Sequence, residues 1–220
     1  MIKAVIFDMD GLLVDSEPVW REVEIEIFKE VGVFLTNDLC RQTMGLRLDE
    51  VVKHWYSIKP WKEKDLKEVE QSIIEGVRQK IGLQQPMEGV REILDFLKSQ
   101  KVTMALASSS CMVLIETVLD AFQIRDYFSV VQSAESEPYG KPHPGVFLTT
   151  TQKLGGINPT QCLVFEDSLN GVLAAKSARM KAVAVPDSEQ FHDPRFAIAD
   201  LKLKSLKDFS LNHWEELSRR

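Results

Sequence analysis

Residues 4–16 read Ala4-Val5-Ile6-Phe7-Asp8-Met9-Asp10-Gly11-Leu12-Leu13-Val14-Asp15-Ser16. Four successive apolar residues without polar alternation describe a strand covered on both faces, as in a parallel sheet. Two carboxylates, Asp8 and Asp10, follow at once. In an extended chain residues i and i+2 point to the same side, so both acids face one small volume. Open α/β sheets place their sites at the carboxyl edge of the strands. Gly11 then permits a sharp turn. A calcium loop counted from Asp8 would need glycine at its sixth and glutamate at its twelfth position. The chain has Leu13 and Val19 there. The acid pair therefore reads as the start of a reactive site on a parallel sheet.

Outward from this segment the chain divides in an unusual order. Residues 16–85 carry helical periodicity and no convincing strand. Ser16 is the expected N-cap of a first helix, with Pro18 in its first turn and Val19, Val23, Ile27 and Val31 on one face. Thr36 caps a short helix toward Met44, a third helix runs to Ile58, and a fourth covers Leu66 to Ile81. From residue 86, strands and helices alternate. Strands are expected at 102–107, near 130–131, at 162–165 and at 182–185. The tail from Ser188 reads as irregular until Leu211. The spacing predicts an α/β core built on a doubly wound parallel sheet, residues 1–15 and 86–220, with an α-helical cap domain inserted at 16–85.

Composition narrows the function. The 220 residues carry 27 Lys and Arg against 33 Asp and Glu, a net charge of −6. No basic block stands out, so no nucleic-acid partner is expected. Cys40, Cys111 and Cys162 are odd in number and far apart, which argues against a disulfide framework or a C-x-x-C metal site. Cys162 reads as strand core, and Cys111, near a helix start, as a thiol of raised reactivity. No signal-peptide pattern and no apolar run of membrane length is present, so a cytoplasmic monomer without membrane contact is expected.

Three further segments carry chemistry. Glu166-Asp167 ends the apolar run Leu163-Val164-Phe165 and offers hard oxygen ligands of the kind Mg²⁺ takes one or two at a time. Asp167 is the expected ligand, with Glu166 holding a bound water. Lys141-Pro142-His143-Pro144 presents a lysine on a stem that the following proline makes extended, and His143 reads as a surface residue. Ser108-Ser109-Ser110 lies between a strand and a helix, where hydroxyls and free N–H groups cradle phosphate. No Gly-rich P-loop implies a nucleotide.

The decapeptide from Phe7 to Ser16, followed in order by Ser108, Lys141 and Glu166-Asp167, resembles the four motifs of the haloacid dehalogenase-like hydrolases. The resemblance spans the whole chain and implies a Rossmann-like core, Mg²⁺ and an aspartyl-phosphate intermediate. It implies Asp8 as nucleophile and metal ligand, and Asp10 as general acid/base that also ligates through its main-chain carbonyl. Asp167 would complete the metal site. Ser108 and the N–H of Ser109 would hold the phosphoryl oxygens, and Lys141 would neutralise charge.

Within the family, Gly-Leu-Arg-Leu-Asp at 45–49 and His-Trp-Tyr-x-x-x-Pro-Trp at 54–61 resemble the sugar-phosphate phosphatases. That implies Trp20, Gly45, Leu46 and Arg47 facing the sugar. The expected activity is Mg²⁺-dependent hydrolysis of small sugar or polyol phosphates, such as hexose 6-phosphates and 2-deoxyglucose 6-phosphate. A sugar phosphomutase of the β-phosphoglucomutase type is the nearest rival, although that group has a histidine where this chain has Trp20. A non-catalytic phospho-acceptor module is the rival from another class.

Overall fold

The computed structural model describes residues 1–219. A six-stranded sheet, entirely parallel, has the order β3-β2-β1-β4-β5-β6. The strands are β1 Ala4–Phe7, β2 Thr103–Ser108, β3 Val130–Ser133, β4 Cys162–Glu166, β5 Lys181–Ala184 and β6 Leu201–Lys202. The chain builds outward from β1 to one edge and then crosses back to build the other. The switch of direction beside β1 is where such sheets open a crevice for ligands.

Period-two alternation assigns the faces. Val5, Phe7, Leu106, Leu163 and Phe165 join one apolar layer, while Ala4, Ile6, Ala105, Ala107 and Val164 join the other. In the first layer the rings of Phe7 and Phe165 stack at 5.0 Å. The second is rich in alanine, which lets α7 Gly145–Lys153 and α8 Leu169–Ser177 pack close to the strands. Helices α5 Val90–Ser99 and α6 Met112–Phe122 bury Leu94, Leu97, Ile115 and Leu119 in the first layer. Helix α9 Leu211–Arg219 closes the described chain.

Between β1 and α5 stand four helices: α1 Glu17–Glu30, α2 Asn37–Cys40, α3 Leu48–Ile58 and α4 Leu66–Ile81. A reciprocal pair, Asp65 with the Glu68 N–H and Glu68 with the Asp65 N–H, starts α4. Gly76 lets α1 cross α4 closely, since a Cβ there would lie 2.8 Å from Val23. The insertion leaves and returns side by side. Asp15 N–H donates to the Gln85 carbonyl, and Met87 N–H to that of Leu13. No described helix is long and apolar enough to cross a membrane.

Three expectations are corrected. Ser16 does not cap α1, because its hydroxyl donates to Asp10 instead. The inner face of α1 is wider than expected, because fully buried Phe28 joins half-buried Ile27 against the core. The tail expected to be irregular contains β6, whose two residues are too few to show any periodicity.

Candidate active site

Register fixes the site. Phe7 pairs with Leu106 on one side and Phe165 on the other. The next residue, Asp8, therefore stands level with Ala107 and Glu166, and its N–H donates to the Phe165 carbonyl at 3.0 Å. Gly11, at φ +68°, turns the chain away, and a Cβ there would lie 2.2 Å from Asp167 Oδ2. The glycine is required both by its left-handed backbone and by the carboxylate pressed against it.

Lys141, expected on an extended stem, is 2% exposed. Its Nζ donates to Asp8 Oδ1 and Glu166 Oε1, both at 2.6 Å, and to the Ala107 carbonyl at 3.2 Å. Desolvation opposes its charge, but Asp8 and Glu166 outweigh it and hold the ammonium above its usual range. Glu166, expected to hold a bound water, is fully buried. Its Oε2 accepts from the N–H and hydroxyl of Ser168, so both its oxygens are engaged by protein. A Cβ at Gly171 would lie 1.7 Å from Glu166 Oε1, so glycine is needed where the carboxylate crosses α8.

Carboxylate oxygens of Asp8, Glu166 and Asp167 lie within 4.8 Å of one another. Burial pushes Asp8 and Asp167 well above the ordinary carboxylate range, and repulsion from Glu166 adds to both. Three buried acids thus face one ammonium. Asp167, 5% exposed, has no hydrogen-bond donor to its carboxylate among the described residues. An orphaned buried carboxylate costs several kcal/mol unless a cation or a proton meets it. The donor set, all hard oxygen, fits a divalent ion such as Mg²⁺.

Asp10 is held from both sides of the crevice. Its Oδ1 accepts from Ser16 Oγ at 2.7 Å and Trp20 Nε1 at 2.8 Å. Its Oδ2 accepts from Ser110 Oγ at 2.7 Å and Ser108 Oγ at 3.3 Å. Ser108 is fully buried, and Ser109 Oγ donates to the Gly45 carbonyl at 3.1 Å.

The insertion closes over these groups and leaves a cavity of about 540 Å³, an ordinary size for a small-molecule site. Asp8, Asp10, Ser108, Ser109, Lys141 and Asp167 all line it, as do Trp20, Gly45, Leu46 and Arg47. Two of these use their donors elsewhere. The Trp20 N–H goes to Asp10. Arg47 pairs with Asp49 at 2.5 Å and donates to the carbonyls of Ala134 and Glu137 at 3.0 and 2.6 Å. Glu50 accepts from the N–H of Gly140, beside Lys141, at 2.9 Å. Arg47 and Glu50 thus fasten the insertion to the segment that runs from β3 to Lys141.

Cys111 lines the cavity, but burial raises its thiol pKa, so it is less reactive than its position at a helix start suggested. His143 is exposed, as expected. The sequence reading missed Ser110 as a partner of Asp10, and Glu17, Arg21, Glu24 and Cys40 on the cavity wall. The first three of these wall residues could have been found from their spacing with Trp20, which places them on one face of α1.

A family model described as haloacid dehalogenase-like hydrolase matches residues 5–185. Hexitol phosphatase B of Escherichia coli (strain K12) is 43% identical over 212 residues, 95% of each chain. A phosphorylated carbohydrates phosphatase of Thermotoga maritima is 35% identical, with 83% of this chain and 84% of that protein covered. The crystal structure of β-phosphoglucomutase from Clostridium difficile superposes with a TM-score of 0.88 over 100% of this chain and 98% of its own, at 23% identity, a likeness of fold. The chain belongs to the haloacid dehalogenase-like hydrolases and is a phosphatase of that family.

Proposed function

We propose that the protein is a Mg²⁺-dependent phosphomonoesterase acting on small sugar or polyol phosphates through an aspartyl-phosphate on Asp8. The observation that carries this reading is the convergence of Asp8, Asp10, Lys141 and Asp167 on one cavity at the switch point of the sheet. The names of the hexitol and carbohydrate phosphatases support the substrate class.

The chemical obstacle is charge. A phosphate monoester carries about −1.5 to −2 near neutrality. At ~4 Å and an effective dielectric of ~20 it would repel a carboxylate by about 4 kcal/mol per unit charge. Lys141 offsets part of this at the nucleophile. Asp8, Asp167 and the Asp10 carbonyl are the groups that would hold Mg²⁺, which would supply further positive charge beside the transferring phosphoryl group. Glu166 serves the site through Lys141, fixing the ammonium against Asp8.

In the first half-reaction an Asp8 carboxylate oxygen forms a bond to phosphorus. The ester P–O bond breaks, and the leaving alkoxide takes a proton from Asp10. In the second, Asp10 takes a proton from water, which attacks phosphorus and breaks the bond to Asp8. Phosphate leaves and Asp10 is again protonated. Asp10 must release some of its four hydrogen bonds to reach the leaving oxygen, and the donors from Ser16 and Trp20 tie that release to the insertion. Residues 16–85 act as a cap that excludes bulk water when fastened by Arg47 and Glu50.

The test is phosphate release from a panel of sugar, polyol and nucleoside phosphates, with and without Mg²⁺, with products identified. Mg²⁺-dependent release of free sugar or polyol from the first two classes is expected. An isomerised sugar phosphate without free phosphate would make the protein a mutase. Stable phosphorylation by acetyl phosphate without turnover would make it a phospho-acceptor.

A further inference from the structure

One cavity wall belongs to α1. Glu17, Trp20, Arg21 and Glu24 line it at i, i+3, i+4 and i+7, so they share a helix face. Trp20 is where that face meets Asp10. Glu24 stands one turn further along, about 6 Å from Trp20 along the helix axis. It therefore borders the part of the cavity remote from the reacting phosphate.

Glu24 is 7% exposed. Buried carboxyls normally have their hydrogen-bonding capacity filled. The polar group beside this one is the Cys40 thiol, a weak donor. The neighbouring cation, Arg21, is drawn to Glu17 at 3.5 Å. Burial, with repulsion from Glu17, pushes Glu24 up to about 8, and burial pushes Cys40 up to about 12. Near neutrality the group is therefore a carboxylic acid, which has both a donor and an acceptor to offer. An anionic group could use only the donor. A hydrocarbon would use neither and would leave a buried polar group unpaired. An alcohol uses both.

We infer that Glu24 is a specificity-determining residue, exchanging hydrogen bonds with hydroxyl groups on the substrate carbons far from the phosphate. The inference rests on the phosphomonoesterase reading and narrows it: the far end of the cavity takes a polyhydroxylated chain, not an alkyl tail.

The test compares kcat/KM for a hexitol 6-phosphate and for hexyl phosphate, which has six carbons and no hydroxyl, in the Mg²⁺-loaded protein. The wild type is expected to favour the hexitol ester more than 10-fold. Glu24→Leu should lower that preference about 10- to 100-fold, the range for leaving a buried hydrogen-bond partner unmatched. Most of the change should lie in KM. Glu24→Gln, whose amide still donates and accepts, should retain most of the preference, and its melting temperature controls for folding. An equal loss on both esters in Glu24→Leu, or no wild-type preference, would overturn the inference while phosphate release upheld the activity. Absence of phosphate release from either ester by the wild type would instead remove the activity, and the inference with it.

Discussion

The cluster at the strand ends and the α1 wall are both acidic and both buried, yet their charges are settled in opposite ways. Asp8, Glu166 and Lys141 form a closed set with distances of 2.6 Å, and Asp167 beside them has no donor. Lysine and a divalent ion can balance that set without any substrate. On the α1 wall, burial pushes the Glu24 carboxyl up to about 8, and its one polar neighbour besides Glu17 and Arg21 is the weakly donating Cys40 thiol. There the unfilled capacity is complementary to hydroxyl groups. The first region is built for chemistry common to any phosphate ester, the second for choosing among esters.

Breaking the first region should have the largest effect. Lys141→Met leaves Asp8 and Glu166 buried without their cation. We expect a loss of about 3–5 kcal/mol in stability and a fall of about 10²- to 10³-fold in kcat, read by denaturant unfolding and steady-state kinetics. Wild-type stability and turnover in this variant would mean that the cluster does not depend on its ion pairs.

Trp20→Phe sharpens the boundary between the regions. It keeps an aromatic ring on the wall and removes the N–H that Asp10 accepts at 2.8 Å. A fall of roughly 10-fold in kcat with little change in KM is expected, in line with losing one hydrogen bond that positions the proton-transferring group. A change confined to KM would make Trp20 a sugar contact instead.

The α1 wall should also show itself in pH dependence. Glu24 has its carboxyl raised from 4.5 to about 8, facing Glu17 and Arg21 on its own helix and Cys40 on α2. Between those values the folded chain binds the proton and the unfolded chain does not. Its contribution to stability is therefore complete at low pH and is lost as pH rises through the folded value. The melting temperature of Glu24→Gln should lie close to wild type near about pH 5 and should gain on it toward about pH 8.5. Parallel curves across that range would show that Glu24 is ionised throughout.

The two regions also differ in how legible they were. Asp8, Asp10, Ser108 and Asp167 stand at strand ends, and an apolar run followed by polar residues marks such ends in any chain. The helix Leu66–Ile81 was equally plain, because its apolar spacing continues for four turns. What could not be read was which partners meet across the fold. Lys141, 133 residues after Asp8, was brought to the site by the order of motifs, but its second bond, to Glu166, was not foreseen, and the Trp20 N–H finds Asp10 only once the insertion is docked. Glu24 was hidden for another reason. It lies next to Val23 on an amphipathic helix, where a charged residue ordinarily faces solvent. Arg47, expected to face the sugar, lines the cavity, but its bonds to the carbonyls of Ala134 and Glu137 join segments far apart in sequence and left no local signal.

The central claim is that Asp8 carries the phosphoryl group. Rapid acid quenching of the Mg²⁺-loaded protein during turnover of a hexitol phosphate, followed by mass spectrometry of its peptides, tests this directly. The account predicts a phosphoryl group on Asp8 in the wild type, absent from Asp8→Asn, together with a loss of at least about 10⁴-fold in that variant's turnover. Sustained phosphate release with Asp8 unmodified, or near-normal turnover by Asp8→Asn, would contradict it.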